Sequence, residues 1–457
     1  MIDIIIVFSY LIILPVISIV KRRTGKSFKT FSRITKKLKG NKLILVATIF
    51  ASAIGGGTAF GVAEKAFSED VAHTYGLMLA IPIDLAIAVF IVPRLIKHYG
   101  AESVGDIMFT YYGSAGRYIG GFSAILVSVG LLAAQISVSG RIFEYILQLD
   151  YITCVIFSYG IIVLYTTIGG LQSILFTNQL QFFAIVIAIP TVSFFGLQQI
   201  GLVNFIDSIP LEKVSFSHSA SLINTTISAA LGFAVINLLP TFIQRALINE
   251  DSKTTQTAIY IKSAIYFFFL IFVTLNGLIA YIKFPEVKAS LALPYLIDHI
   301  IPTGIQGIVV VGLLAAVMST ADSDLNVTSV TLVKDFFSPL FKIKEQTKML
   351  HLARVTNVFI GSLAILIALL FSKVVDLVIF IAGFWGPIVL IPMVFALFGI
   401  TTSKKGFIFS CLCGAVSFLL WSSLFETQTG LKGVFVGTMV NLSVFLLSYA
   451  TFRKKRS

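Results

Sequence analysis

Residues Gly312 to Lys334 read GLLAAVMSTADSDLNVTSVTLVK. The stretch is apolar enough for the interior of a membrane, yet Ser319, Thr320, Asp322, Ser323, Asp324 and Asn326 crowd its middle. Polar and ionisable side chains are costly inside a span and usually face the bundle interior or an ion path. On a helix Ala316, Ser319, Thr320 and Ser323 fall at i, i+3, i+4 and i+7, so they share one face. Two neighbouring hydroxyls, with a backbone carbonyl one turn back, offer hard oxygen ligands to a small hard cation. We read this face as a sodium site. The competing reading is structural: hydroxyls that bond their own helix or cement helix packing.

The composition carries this reading outward. The chain of 457 residues is 57% hydrophobic and 12% charged, with a mean hydropathy of +0.96. That excess of apolar side chains, in repeated runs of about 20 residues, makes spanning helices in a lipid bilayer. The formal charge of +13 belongs to short basic segments between spans, which set topology and imply no nucleic-acid partner. Cys154, Cys411 and Cys413 lie in apolar runs without disulfide or metal spacing, and the five histidines are scattered near span ends. No cofactor is expected beyond sodium as the coupling ion.

Taken in order, Ile2 to Val20 reads as a retained helix and not a cleaved signal, because KRR follows it directly. The basic loop to Lys42 places that side in the cytoplasm. The second span carries Phe50-Ala-Ser-Ala-Ile-Gly-Gly-Gly-Thr58 and Gly61. Each Gly costs roughly 1 kcal/mol against Ala in a helix, so Gly55-Gly56-Gly57 is expected to unwind the span near mid-membrane. Unwound backbone there lines a cavity or is buried in protein. Asp84 lies deep in the third span and Gln135 at the centre of the fourth, where Arg141 and Glu144 stand one turn apart. Gly169-Gly170 marks an inner turn between the fifth and sixth spans, and the seventh ends at Gln244-Arg245. A short interfacial helix is expected between Pro285 and Pro302. Thirteen spans thread with nearly every basic cluster on one side, N-terminus outside and C-terminus inside. The expected organisation is an N-terminal extra helix and loop (1–42), a first five-helix repeat (43–198), an outer loop (199–221), a second five-helix repeat of opposite sense (222–399) and two C-terminal helices (400–457).

These residues resemble the sodium/solute symporter family, which has the leucine-transporter type of fold. Gly312 to Asp335 is similar to the family's AA-x-x-ST-ADS-x-L stretch ending in an Asp. Gly169-Gly-Leu with Phe-Thr177-Asn-Gln-Leu-Gln181 looks like its GGL and TD-x-x-Q, and Ile243-Gln-Arg-Ala-Leu247 like its QR motif. The resemblance implies a sodium site on the carbonyls of Ala51, Ile54 and Ala316 and the hydroxyls of Ser319 and Thr320. It also implies a solute site beside it, lined from Gly55, Gly56, Gly57 and Thr58, with Asp84 and Gln135 as further candidates. The glycine motif is nearest the choline-type branch, but Ile54 and Ala59 stand where that branch has aromatic residues suited to a quaternary cation. In members with a second sodium site, the Asp of TD-x-x-Q supplies its carboxylate, assisted by hydroxyls after the Ser-Thr pair. Here those positions hold Asn178, Asp322 and Ser323, so that site is expected to be lost.

The function that follows is an all-α, polytopic sodium-coupled symporter in the cell membrane, most naturally a bacterial cytoplasmic membrane. Its partners are sodium, lipid and a small organic solute such as an amino acid or quaternary amine. A proton-coupled transporter of the same fold is the alternative, with Asp84, Glu64 or Asp322 as carrier. A sensor derivative would need a signalling domain that the chain lacks up to Ser457, a channel would need a repeated filter, and an enzyme a nucleophile–base or metal pair.

Overall fold

In a computed structural model, the protein is described over residues 2–22, 27–34, 42–216, 220–235, 238–370, 380 and 383–454. Most of the basic inner loop, the outer loop at His218, the entry to the eleventh span and the end of the basic tail lie outside the described residues. Among the described residues nine helices are long and apolar enough to cross a membrane, ten if one bent pair counts as a span. That count does not reach thirteen. The seventh and eleventh segments are shorter apolar helices that adjoin residues outside those described.

The described residues are predominantly helical, because only helices satisfy the backbone within each segment in hydrocarbon. The helix α1 (Ile2–Arg22) precedes the bent pair α2 (Lys42–Ala53) and α3 (Val62–Ser68). Next come α4 (Ala72–Ala86), α5 (Val104–Leu147) and α6 (Tyr151–Ile200). A straight helix of 50 residues would be roughly 75 Å long, more than twice a hydrocarbon core of about 30 Å. It breaks at Gly170, φ 61° and ψ −165°, a conformation open essentially to glycine alone. This is the turn expected at Gly169-Gly170. Phe31 packs there so closely that a Cβ on Gly170 would lie 2.5 Å from its ring. In α5 the expected span from Tyr118 is preceded by a helical segment from Val104, interrupted at Gly113.

The second half opens with α7 (Ala220–Val235) and α8 (Pro240–Ala246), then α9 (Ser252–Lys283). The seventh span, expected to be continuous, is therefore divided. Pro240 starts α8 because a helix start needs no N–H at that position, and Leu238 before it adopts φ 54°. The expected interfacial helix is α10 (Ala292–Ile300). It leads into α11 (Ile305–Thr331), α12 (Gln346–Leu370), α13 (Ile391–Leu397), α14 (Lys404–Leu424) and α15 (Gly433–Lys454).

The core forms around α11, where every residue from Gly312 to Thr331 is buried. It packs against α1, α2, α5, α6 and α12. Gly312 permits the closest approach: a Cβ there would meet the Ala188 Cβ at 2.1 Å. At its N-terminal end Asp3 Oδ1 accepts from the Gly304 and Gly307 N–H groups at 2.8 and 2.6 Å. Just past its C-terminal end Lys334 pairs with Glu102 and Asp106. The central helix is thus fixed at both ends.

Gly170→Ala forces a side chain into a glycine-only conformation, at a cost of order 1–3 kcal/mol, and should lower the melting temperature of the purified protein. Gly160→Ala, where a Cβ meets nothing within 4 Å, should leave it unchanged or raise it. Equal behaviour of the two variants would remove Gly170 as the pivot of α6.

Candidate functional site

The break between α2 and α3 turns the chain by 65°. The helix is interrupted at Ile54 and Gly55, and a wide π-helical turn, Gly57–Gly61, re-enters regular helix at Val62. The expected unwinding is present, one residue ahead of the glycine triplet. Interrupted backbone must find partners elsewhere. Gly56 N donates to Gln135 Oε1 at 2.6 Å. A Cβ on Gly55 would lie 2.6 Å from the Gln135 amide, and one on Gly56 2.8 Å from Val138. The two glycines let the gap sit directly on α5. Gln135, named as a solute candidate, is buried and its amide oxygen is committed to the break.

On the other side of the gap, Ser319 Oγ donates to the Ala51 carbonyl at 2.8 Å and to the Ala316 carbonyl at 3.1 Å. Thr320 Oγ1 donates to the same Ala316 carbonyl at 3.3 Å. Four of the five oxygens named for sodium therefore converge, and Ile54 is the interrupted residue itself. Ala51, Ile54, Ala316 and Ser319 are 1% exposed or less, Thr320 8%. Phe50 packs edge-on against Phe182 and Phe269 behind them, which excludes water from that side. Two carbonyls and two hydroxyls in a dry setting suit a small cation, provided the hydroxyl protons swing outward so that lone pairs face inward.

The opposite face of the break is open. Ala53 and Gly57 are exposed and Thr58 half-buried, and a Cβ on Gly57 or Gly61 would meet nothing within 4 Å. Asp84 reaches this level of the membrane from α4. It is paired there with Lys262 of α9, Nζ to Oδ2 at 2.6 Å, the side chains 7% and 18% exposed for Lys262 and Asp84. The Lys262 ammonium also lies 4.9 Å from the Tyr266 ring centroid. Sequence reasoning named Asp84 and missed Lys262. The signal was available, since a lysine ten residues into an apolar helix is as costly as an aspartate.

Further along α11, Asp322 accepts from the Tyr165 hydroxyl at 2.8 Å and from Ser323 Oγ at 3.1 Å. The QR pair enters the same region from α8. Arg245 Nη2 donates to Ser323 Oγ at 2.7 Å, and Gln244 Nε2 to Asn326 Oδ1 at 3.2 Å. Asn178 is fully buried inside α6 and donates to Thr48 Oγ1 at 3.0 Å. A position eight residues beyond the Gly170 break is no helix cap, so capping does not explain this residue. The Arg141 guanidinium, one turn from Glu144, lies 5.6 Å from the Tyr151 ring centroid.

Comparison with known proteins places this geometry. The family profile described as sodium:solute symporter family matches residues 41–414. The sodium/pantothenate symporter of Escherichia coli (strain K12) is 22% identical over 466 residues, covering 96% of this chain and 94% of that protein. The high-affinity proline transporter PutP of Bacillus subtilis (strain 168) is 29% identical over 362 residues, 72% of this chain and 71% of that one. Among solved structures, a sodium-coupled sialic acid symporter in a substrate-bound outward-open state superposes with a TM-score of 0.86 at 16% identity. The superposition covers 99% of this chain and 98% of that one and carries the fold.

The space around the break separates its glycines. Gly56→Ala drives a methyl into Val138 and should destabilise the purified protein by about 1–3 kcal/mol, as overpacking does. Gly57→Ala has room and should leave the melting temperature within a degree or so of the parent, roughly 0.5 kcal/mol or less. Equal losses would mean that the two glycines do not face different surroundings.

Proposed function

This chain belongs to the sodium:solute symporter family, and we propose that it imports a small organic solute by alternating access, driven by inward movement of sodium. The observation that carries the proposal is the convergence of Ser319, Thr320, Ala316 and Ala51 across the gap in α2 and α3. Sodium is held by these oxygens and the Ile54 carbonyl, and the solute lies on the open side, at Gly57, Thr58 and Asp84. Gln135 supports the solute site from behind, through Gly55 and Gly56. Opening and closing turn on the two breaks, α2–α3 and α7–α8, where backbone angles can change with little loss of helical hydrogen bonds. The cell membrane holds the protein with its N-terminus outside and C-terminus inside.

One sodium crossing roughly 100 mV gains about 2.3 kcal/mol, and a tenfold sodium gradient adds about 1.4 kcal/mol. Together they sustain roughly several-hundredfold accumulation of a solute with no net charge. We assign one sodium per cycle. Asn178 offers a carbonyl oxygen but no charge to offset dehydration of a second cation, and its amide nitrogen is directed at Thr48. Asp322 is engaged by Tyr165 and Ser323.

In proteoliposomes loaded with opposing sodium and pH gradients, uptake should follow sodium. Ser319→Ala and Thr320→Ala should each raise the half-saturating sodium concentration at least tenfold, about 1.4 kcal/mol for one lost ligand, with unchanged protein abundance. The sodium-to-solute flux ratio should be one, rising to two in Asn178→Asp. Uptake driven by pH alone, or unchanged sodium affinity in both hydroxyl variants, would sink the sodium reading.

Single cysteines at Ser27 and Ser457, in a background without native cysteines, should react only with reagents applied from the cytoplasmic side. One at Ser217 should react only from outside. External labelling of Ser27 would reverse the threading.

A further inference from the structure

Asp84 and Lys262 pair between two apolar helices, each long enough to cross a hydrocarbon core of about 30 Å. Asp84 is twelve residues, roughly 18 Å, from the first residue of α4, and Lys262 ten residues, roughly 15 Å, from that of α9, so neither charge sits at a helix end. Packing alone gives no reason for such a pair. A buried ion pair is often no more stabilising than apolar residues of the same volume, and α4 and α9 already pack through Thr74 and Thr274, whose hydroxyls bond at 2.8 Å.

The pair also borders the open face of the broken helix. The Tyr266 ring, one turn along α9, lies 4.9 Å from the Lys262 ammonium, and α9 packs against the Gly57–Gly61 turn that carries Thr58. Thr58 adjoins the exposed Gly57, beside which a methyl group would meet nothing within 4 Å. Asp84, Lys262, Tyr266, Thr58 and Gly57 therefore form one continuous wall from the ion pair to the open space.

We infer that this wall selects a zwitterion of the α-amino-acid type, with the carboxylate on Lys262 and the ammonium on Asp84. The inference rests on the symport reading above for its location. The charges decide the class. The wall is electrically neutral, so a solute with one net charge leaves a charge uncompensated in a dry site. An uncharged solute leaves the pair as it is and gains only neutral hydrogen bonds. A zwitterion completes a square of alternating charges. An ammonium has three donors, of which Asp84 Oδ2 takes one, and a carboxylate has two oxygens. In an α-amino acid both charged groups sit on one carbon, about a hydrogen-bond length apart, close to the 2.6 Å between Nζ and Oδ2 in the pair.

The test uses the full-length purified protein and its thermal unfolding in sodium chloride or potassium chloride. The probes are the common amino acids, their α-carboxamides, their N-acetyl derivatives and the polyol sorbitol. At least one amino acid should stabilise the protein in sodium. Its amide, lacking the carboxylate, and its acetyl derivative, lacking the ammonium, should bind about a hundredfold more weakly or worse, because each leaves a built polar partner unpaired. The double variant Asp84→Asn with Lys262→Gln keeps a hydrogen-bonded pair without an orphaned charge, and so is expected to fold. It should keep the stabilisation given by sodium alone and lose about a hundredfold in amino-acid binding. Stabilisation by sorbitol but by no amino acid overturns the inference, as does undiminished amino-acid binding in the double variant. Sodium stabilisation with no response to any amino acid overturns it while leaving the symport reading standing. Amino-acid binding of the expected pattern without any effect of sodium does the reverse.

Discussion

A peptide group in hydrocarbon has to find a hydrogen-bond partner, and the gap between α2 and α3 leaves several without one from their own helix. The rest of the fold answers that demand. Gln135 supplies an acceptor for Gly56 from one side, and Ser319 a donor for the Ala51 carbonyl from the other. Both partners stand on long helices, α5 and α11, that are locked against each other and against α6. A functional break is stable here because rigid neighbours complete it. The same contacts bring oxygen atoms together at high density, so the contacts that satisfy the backbone also assemble the oxygens of the proposed sodium site. This is why α11 tolerates so much buried polarity: its side chains serve the gap, the QR pair of α8 and Tyr165.

Charge is handled by pairing. Near the break Asp84 meets Lys262, and just past the C-terminal end of α11 Lys334 meets Glu102 and Asp106. These pairs differ in setting. Lys334 is 28% exposed, whereas Lys262 is 7% exposed and would be severely unfavourable without Asp84. Burial thus converts a modest surface interaction into an obligate one.

Much of this was legible in the sequence because the membrane narrows the choices. Apolar runs dictated the helices. Three adjacent glycines announced the first break, and Gly169-Gly170 the turn in α6. The i, i+3, i+4 pattern of Ala316, Ser319 and Thr320 picked out the face that meets Ala51. Features that depend on side chains from distant segments were not legible. Nothing local joins Asp84 to Lys262, 178 residues away, or Asn178 to Thr48, 130 residues away. The second break was hidden for another reason. It is made by Leu238 and Pro240 without a glycine, and proline at the start of a helix looks the same whether or not another helix runs up to it.

The bend in the second segment has a further electrical consequence. Each half is a short row of aligned peptide dipoles, and the bend brings unlike poles to one place. The carbonyl end of α2, at Ala51 and Ile54, is the negative pole, and the amide end that begins at Gly57 is the positive one. A cation is drawn to the first and an anionic group to the second, on opposite sides of a gap only a few residues wide. Neither has to touch the other. Each softens the field the other must enter, so in the proposed symport cycle a cation and an anionic group would favour one another through the polarity of a single interrupted helix.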